Sequence, residues 1–177
     1  VVEPTIARLA DGRLLMVMRG SNGGSIDREC KLPGYRWHSF STDGGQSWSK
    51  PEPWTYTDGS NFFSPSSCSQ LLPHSDGRLF WLGNISKSNP NANSPRYPMY
   101  IGEVDTSSGL LRKDTLLAID TRREGEGEDL FLSNFHARED RETGEVLLHM
   151  GRVFSSNISN QNKDWSSDSL LYRIAVK

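Results

Sequence analysis

Short runs of alternating apolar and polar residues, parted by polar turns that carry glycine, recur three times along the chain. TIARLADGRLLMVMR (5–19), SQLLPHSDGRLFWLGN (69–84) and FHAREDRETGEVLLHMGR (135–152) each predict a strand, a turn and a second strand. The turns centre on Asp11-Gly12, Asp76-Gly77 and Thr143-Gly144, where glycine supplies the positive φ of a tight hairpin. A two-residue loop there pairs Ala10 with Arg13 in the first unit. A third alternating, aromatic-rich strand follows in each unit: YRWHSFS (35–41), RYPMYIGEVD (96–105) and SLLYRIAV (169–176). Asp43-Gly44-Gly45 and Ser107-Ser108-Gly109 then turn the chain toward a fourth strand, such as LLRKDTLLAID (110–120). No segment sustains the apolar period of a helix, so helix is expected to be scarce.

From Gly12 to Gly77 is 65 residues and from Gly77 to Gly144 is 67. A repeat that long, holding several strands, predicts sheets arranged around an axis. The expected fold class is all-β, a β-propeller covered here by three four-stranded antiparallel blades at approximately 1–60, 61–125 and 126–177. Three blades leave the outermost faces in need of neighbours. The missing N-terminal blades are therefore expected before residue 1 in the same chain, or in another subunit. The opening VVEPTIARL fits that expectation, because it begins mid-strand without an initiator Met, a basic leader or an apolar signal core.

Composition narrows the classes. With 34% apolar and 10% aromatic residues in 177, the chain has the means for a packed core. No run approaches the ~18 apolar residues of a membrane span, so no membrane association is expected. A net charge of -2 without long blocks of either sign argues against nucleic acid as a partner. Of the 20 cationic residues 14 are arginine, whose rigid fork matches a carboxylate. Cys30 and Cys68 are too few for a disulfide scaffold, and His38, His74, His136 and His149 lack metal-ligand spacing. Neither a metal nor another cofactor is expected. Asn84-Ile85-Ser86 and Asn157-Ile158-Ser159 fit the glycosylation sequon, a triplet that also arises by chance.

Two stretches bear on chemistry. In Ser41-Thr42-Asp43-Gly44-Gly45-Gln46-Ser47-Trp48 the glycines permit a turn, Ser41 and Asp43 bond its unpaired backbone, and Trp48 plugs it. An aspartate bonded to its own turn is poorly available to a substrate, so this stretch reads as structural. In the first hairpin, counting outward from the turn sets Pro4 opposite Arg19, which brings Glu3 and Arg19 to one end. That end faces the central pocket of a propeller; the competing reading is an ordinary ion pair on the rim.

S-x-D-x-G-x-x-W is the Asp-box, and here it follows EPTIARLADGRLLMVMR. Together these motifs resemble the sialidase (neuraminidase) superfamily of six-bladed β-propellers, and the likeness extends over most of the chain. The resemblance implies that residues 1–177 are the C-terminal half of a single sialidase-like domain. It also implies a glycosidase in which three arginines hold the substrate carboxylate and a glutamate draws the proton from a nucleophilic tyrosine, an exception to the paired-carboxylate rule. Glu3 matches that glutamate, Arg19 the second arginine and, in SPRYPMYIGEVD, Arg96 the third. The first arginine belongs to an earlier blade. Arg36, in GYRWHSFS, is expected to neighbour and support the pocket.

The last blade departs from the family pattern. By register with Glu3 the corresponding position is Phe135, where the resemblance expects no phenylalanine but the tyrosine. Nearby, His136 pairs by hairpin counting with Gly151 at the same open end, where it serves as an acid or base or as a hydrogen-bonded histidine of an inner strand. Tyr35, Tyr97 and Tyr172 fall in the middle strands and match no catalytic position. The function expected is therefore a sialidase-like exo-glycosidase that hydrolyses a terminal acidic sugar, with Glu3 and His136 as catalytic candidates and Arg19, Arg96 and Arg36 binding the substrate. The alternative is a catalytically inactive propeller that binds glycans or a protein partner. Relatives of this kind are often extracellular or periplasmic.

Overall fold

The computed structural model describes residues 2–25, 27–155 and 164–176. The first sheet holds β1 (Val2–Arg8), β2 (Leu14–Arg19), β3 (Arg36–Ser41) and β4 (Glu52–Pro53), hydrogen-bonded in that order. The second holds β5 (Gln70–Pro73), β6 (Leu79–Asn84), β7 (Met99–Val104) and β8 (Leu117–Asp120), and the third β9 (Phe131–Glu139), β10 (Val146–Ser155) and β11 (Trp165–Ile174). All neighbours run antiparallel. β5 lies against both β1 and β9, so the three first strands form an inner row from which the sheets fan out as blades. Among the described residues the third sheet has three strands where the repeat predicted four.

Alternation explains the packing. β6 (LFWLGN) is buried on both faces, because Leu79 and Trp81 enter one apolar cluster with Ala7, Leu15 and Val17, while Phe80 and Leu82 enter another with Val146 and Leu148. Trp81 is wholly buried and meets Trp54 edge-on at 5.5 Å between centroids. Each large apolar side chain removed from water in this way contributes about 1.5–3 kcal/mol. The stretch predicted as one fourth strand over 110–120 is interrupted. Leu111 bridges Val104 and Tyr56, a 3-10 turn follows at Lys113–Thr115, and only Leu117–Asp120 joins β7. Thr115 causes the break, since its hydroxyl donates to the Arg112 carbonyl (2.8 Å) and accepts from the Glu103 amide (2.9 Å).

The hairpin loops are longer than predicted, and this shifts the register. The Leu9 amide donates to the Arg13 carbonyl (2.8 Å) and the His74 amide to that of Arg78 (2.9 Å), so three residues form each loop. Gly12 and Gly77 take φ of 90° and 92° there, the left-handed position of such loops. In the third blade Asp140 donates to Glu145 (2.8 Å), one residue longer. Counted from these turns, Asn134 rather than Phe135 is level with Glu3, and Cys68 is level with both. A bulge between Val2 and Thr5 sets Val2, not Pro4, opposite Arg19. The longer third loop sets His136 opposite His149, not Gly151, and a second bulge, in β9, then sets Gly151 opposite Ser133. Glu3 and Asn134 sit within these bulges at φ of 51° and 54°, a conformation that costs a non-glycine residue about 1–2 kcal/mol.

The S-x-D-x-G-x-x-W turn closes as read. Asp43 accepts from the Ser41 hydroxyl (2.8 Å), the Ser47 amide (2.9 Å) and the Ser47 hydroxyl (2.5 Å). Trp48 donates its indole N–H to the Gly45 carbonyl at 3.1 Å. The Ser47 and Ser41 bonds hold the Asp43 carboxyl far below its ordinary value.

Candidate functional site

Three neighbouring strand ends deliver the first part of the site. Val2 pairs with Arg19 and Arg19 with Arg36, so Glu3, Arg19 and Arg36 stand in a row. Arg19 Nη1 donates to Glu3 Oε1 at 3.1 Å, and its buried Nε has no partner among the described residues. Glu3 is about half exposed, so this ion pair contributes little to stability.

Arg36 is wholly buried. Its Nε donates to the Ser64 hydroxyl (2.9 Å) and its Nη2 to the Ser67 hydroxyl (3.0 Å) and Cys68 carbonyl (3.4 Å), while Nη1 has no partner among the described residues. Burial lowers its pKa to about 10; the charge of Arg19 adds to that, and Cys68 and Glu3 oppose it. The group is still cationic at neutral pH. Among the described residues no carboxylate pairs with it, whereas Arg152, equally deep, pairs with Asp120 (2.6 Å) and Glu126 (2.5 Å). Arg152 ties the third sheet to the end of the second; Arg36 lacks any such counter-charge.

Arg96 reaches the same end from the second blade. Its Nη2 donates to the Ser66 carbonyl (3.2 Å), its guanidinium lies 5.4 Å from the Phe131 ring centroid, and its Nε is buried without a partner. Asn84 anchors this segment by donating to the Arg96 and Leu132 carbonyls, both at 3.0 Å. Asn84 is thus inside the fold, which removes the first sequon from modification; the second, at 157–159, lies outside the described residues.

Sequence reasoning passed over the collar Ser64-Pro65-Ser66-Ser67-Cys68, which holds both Arg36 and Arg96. Its signal was a polar run directly before an inner strand. Cys68 accepts the Asn134 amide at 3.2 Å and lies 3.5 Å from the Ser133 hydroxyl, and both cysteines are free. Beside the collar a hollow of about 320 Å3 is lined by Arg96, Phe131, Ser133, Asn134, Gly151 and Val153.

The arrangement joins Glu3, Arg19, Arg36 and Arg96 through the strand ends and this collar. His136 stands apart. It is exposed, level with Thr5 and Gln70 rather than with Glu3, and its side chain makes no hydrogen bond among the described residues. The middle-strand tyrosines are engaged elsewhere: Tyr35 stacks on Phe63 at 5.7 Å, Tyr97 packs on the second apolar cluster, and Tyr172 donates to Asp120. Among the described residues no three His, Cys, Asp or Glu side chains are grouped to hold a metal ion.

No protein-family model matches the chain, and no curated protein matches it in sequence. Solved structures do match in shape. A GH43_12 protein retrieved from a capybara gut metagenome aligns over 90% of this chain and 30% of its own, at 16% identity and a TM-score of 0.51. The fold is β-propeller-like. An N-acetylgalactosamine deacetylase from F. plautii, in complex with blood group B trisaccharide, aligns over 96% of this chain and 49% of its own, at 10% identity and a TM-score of 0.53. The chain therefore spans about a third to a half of the length of these two proteins.

Proposed function

We propose that this chain supplies one side of the pocket of a sialidase-like exo-glycosidase that hydrolyses a terminal acidic sugar, of the sialic acid kind, from a glycan. The observation that carries this reading is Arg36, a buried guanidinium that, among the described residues, has one nitrogen without a hydrogen-bond partner and no carboxylate paired with it, in a row with Arg19 and Glu3. Such a group favours a ligand anion. A 2-keto sugar acid bears its carboxylate on the anomeric carbon, so Arg19 and Arg96 grip that carboxylate and orient the ring for attack, with the charge of the buried Arg36 behind them drawing it in. Glu3 takes the proton from the attacking group. The six-bladed sialidase placement, with residues 1–177 as a C-terminal half, rests on EPTIARLADGRLLMVMR followed by S-x-D-x-G-x-x-W. A carbohydrate substrate is further supported by the two carbohydrate-acting proteins that share the fold.

One observation favours a second reading, glycan binding without turnover. The positions level with Glu3 hold Cys68 and Asn134, and neither supplies the phenol nucleophile of the resemblance. Chromogenic glycosides of sialic, uronic and other keto-acid sugars separate the two. Release of the chromophore that Glu3→Gln reduces at least about a hundredfold supports the enzyme. Binding of sialic acid without release selects the second reading, and neither binding nor release rejects both.

A further inference from the structure

Two connections lock together beside the collar. One joins β2 to β3 and carries Asn22, Cys30, Leu32 and Gly34; the other joins β6 to β7 and carries Asn89 and Ala92. They belong to the first two blades, which pack on each other through a shared apolar cluster. Asn22 is only 2% exposed. Its Nδ2 donates to the carbonyls of Leu32 (2.9 Å) and Pro90 (2.8 Å), and its Oδ1 accepts the Ala92 amide (3.1 Å). Asn89 answers from the other connection: its Nδ2 donates to the Cys30 and Leu32 carbonyls, both at 3.0 Å, and its Oδ1 accepts the Gly34 amide at 2.8 Å.

Each asparagine heads a relay of hydrogen bonds that ends on one arginine. From Asn89 the relay runs through Gly34, whose carbonyl accepts the Ser64 amide (2.8 Å), to the Ser64 hydroxyl, which accepts Arg36 Nε (2.9 Å). From Asn22 it runs through Ala92, whose carbonyl accepts the Ser66 amide (2.8 Å), to the Ser66 carbonyl, which accepts Arg96 Nη2 (3.2 Å). Ser64 and Ser66 lie outside the strands, so no sheet ladder fixes them. Cys30 and Ala92 both take φ of 51°, a conformation that disfavours any residue with a side chain and persists where the surrounding bonds over-determine it. No residue of 20–34 or 86–95 belongs to either apolar cluster. The carboxamides therefore do more to place the collar than to build the core.

We propose that Asn89 and Asn22 are positioning residues of the open end, Asn89 setting the Arg36 guanidinium and Asn22 that of Arg96, so that the two charges stand where an acidic sugar meets them. The sugar part of this inference rests on the proposed function; the relays do not.

Hydrogen exchange followed by NMR, alongside calorimetry with sialic acid, tests it. Asn89→Ala is expected to speed exchange at the Ser64 amide and the Arg36 Nε–H at least about tenfold, and Asn22→Ala to do so at the Ser66 amide. The Ala137 amide, which Gln70 holds across the other blade interface (2.9 Å), keeps its rate in both variants. Each variant binds sialic acid about 3- to 30-fold more weakly than the parent. Exchange that rises equally at Ala137 is general loosening and overturns the proposal, as does unchanged exchange at the two serines, or faster exchange there with unchanged affinity. A parent protein that binds no sialic acid removes the acidic-sugar reading instead, and the exchange pattern alone then decides whether the asparagines hold the arginines.

Discussion

At the scale of single residues, the proposed function turns on Arg36. A guanidinium taken out of water without a carboxylate destabilises the fold until an anion meets it, so its loss should separate binding from stability. Arg36→Met is expected to weaken binding of sialic acid about 10-fold or more, through loss of a charge close behind the bound carboxylate. Its melting temperature should stay level or rise, because replacing a buried ion by an apolar side chain is often neutral or stabilising. Calorimetry alongside a thermal melt checks both, and unchanged affinity with a lower melting temperature speaks against the role given to Arg36. Arg152→Met is the converse case: it strands the Asp120 and Glu126 carboxylates, and a loss of about 3–5 kcal/mol in a denaturant titration is expected. That Glu3 and Arg19 meet at one end of the first hairpin was legible from the sequence, because the turn and the apolar run of the second strand mark that end. The Ser64–Cys68 collar was not, because a polar run before a strand looks the same whether or not arginines fold onto it.

Elements add their own tests. Gln70 spans β5 and β9, and Ala137, which it satisfies, is almost wholly buried. Gln70→Ala leaves an amide and a carbonyl unpaired between blades and should cost about 1–3 kcal/mol, read as a shift in the urea midpoint. The turns of blades two and three also meet at His74, which bonds the Gly144 carbonyl (2.9 Å) and contacts Asp76 (2.9 Å) and Glu139 (3.4 Å). Burial alone would lower the His74 pKa, but the Gly144 carbonyl and the two carboxylates raise it above 6.5. A raised folded value gives stability that is full below pH 6.5 and lost as pH rises through that value. His74→Gln should therefore lower the melting temperature more below pH 6.5 than at about pH 9; an equal loss at both counts against the protonated contact. Turn positions were readable from Asp-Gly and Thr-Gly, but loop length was not. The four-residue loop between Asp140 and Glu145, one longer than the other two, moved the match of Glu3 from Phe135 to Asn134 and set His136 opposite His149, away from the open end.

For the molecule as a whole, the three-blade order was legible because the strand, turn and strand unit returns at nearly constant spacing, each copy with its own alternation. Burial on both faces of the middle sheet follows from β6, where four consecutive apolar residues leave no solvent side. The contacts at the open end were less legible, since they depend on how the Arg36 and Arg96 side chains reach the collar from separate strands, and no local pattern encodes those crossings. The central claim is that the arginines at the open end bind the carboxylate of an acidic sugar. Calorimetric titration of the protein with sialic acid and with its carboxyl methyl ester tests it most directly. The account predicts heat of binding from the acid and none from the ester, which keeps the sugar and lacks the charge. Equal binding of the two, or no binding of either, would contradict it.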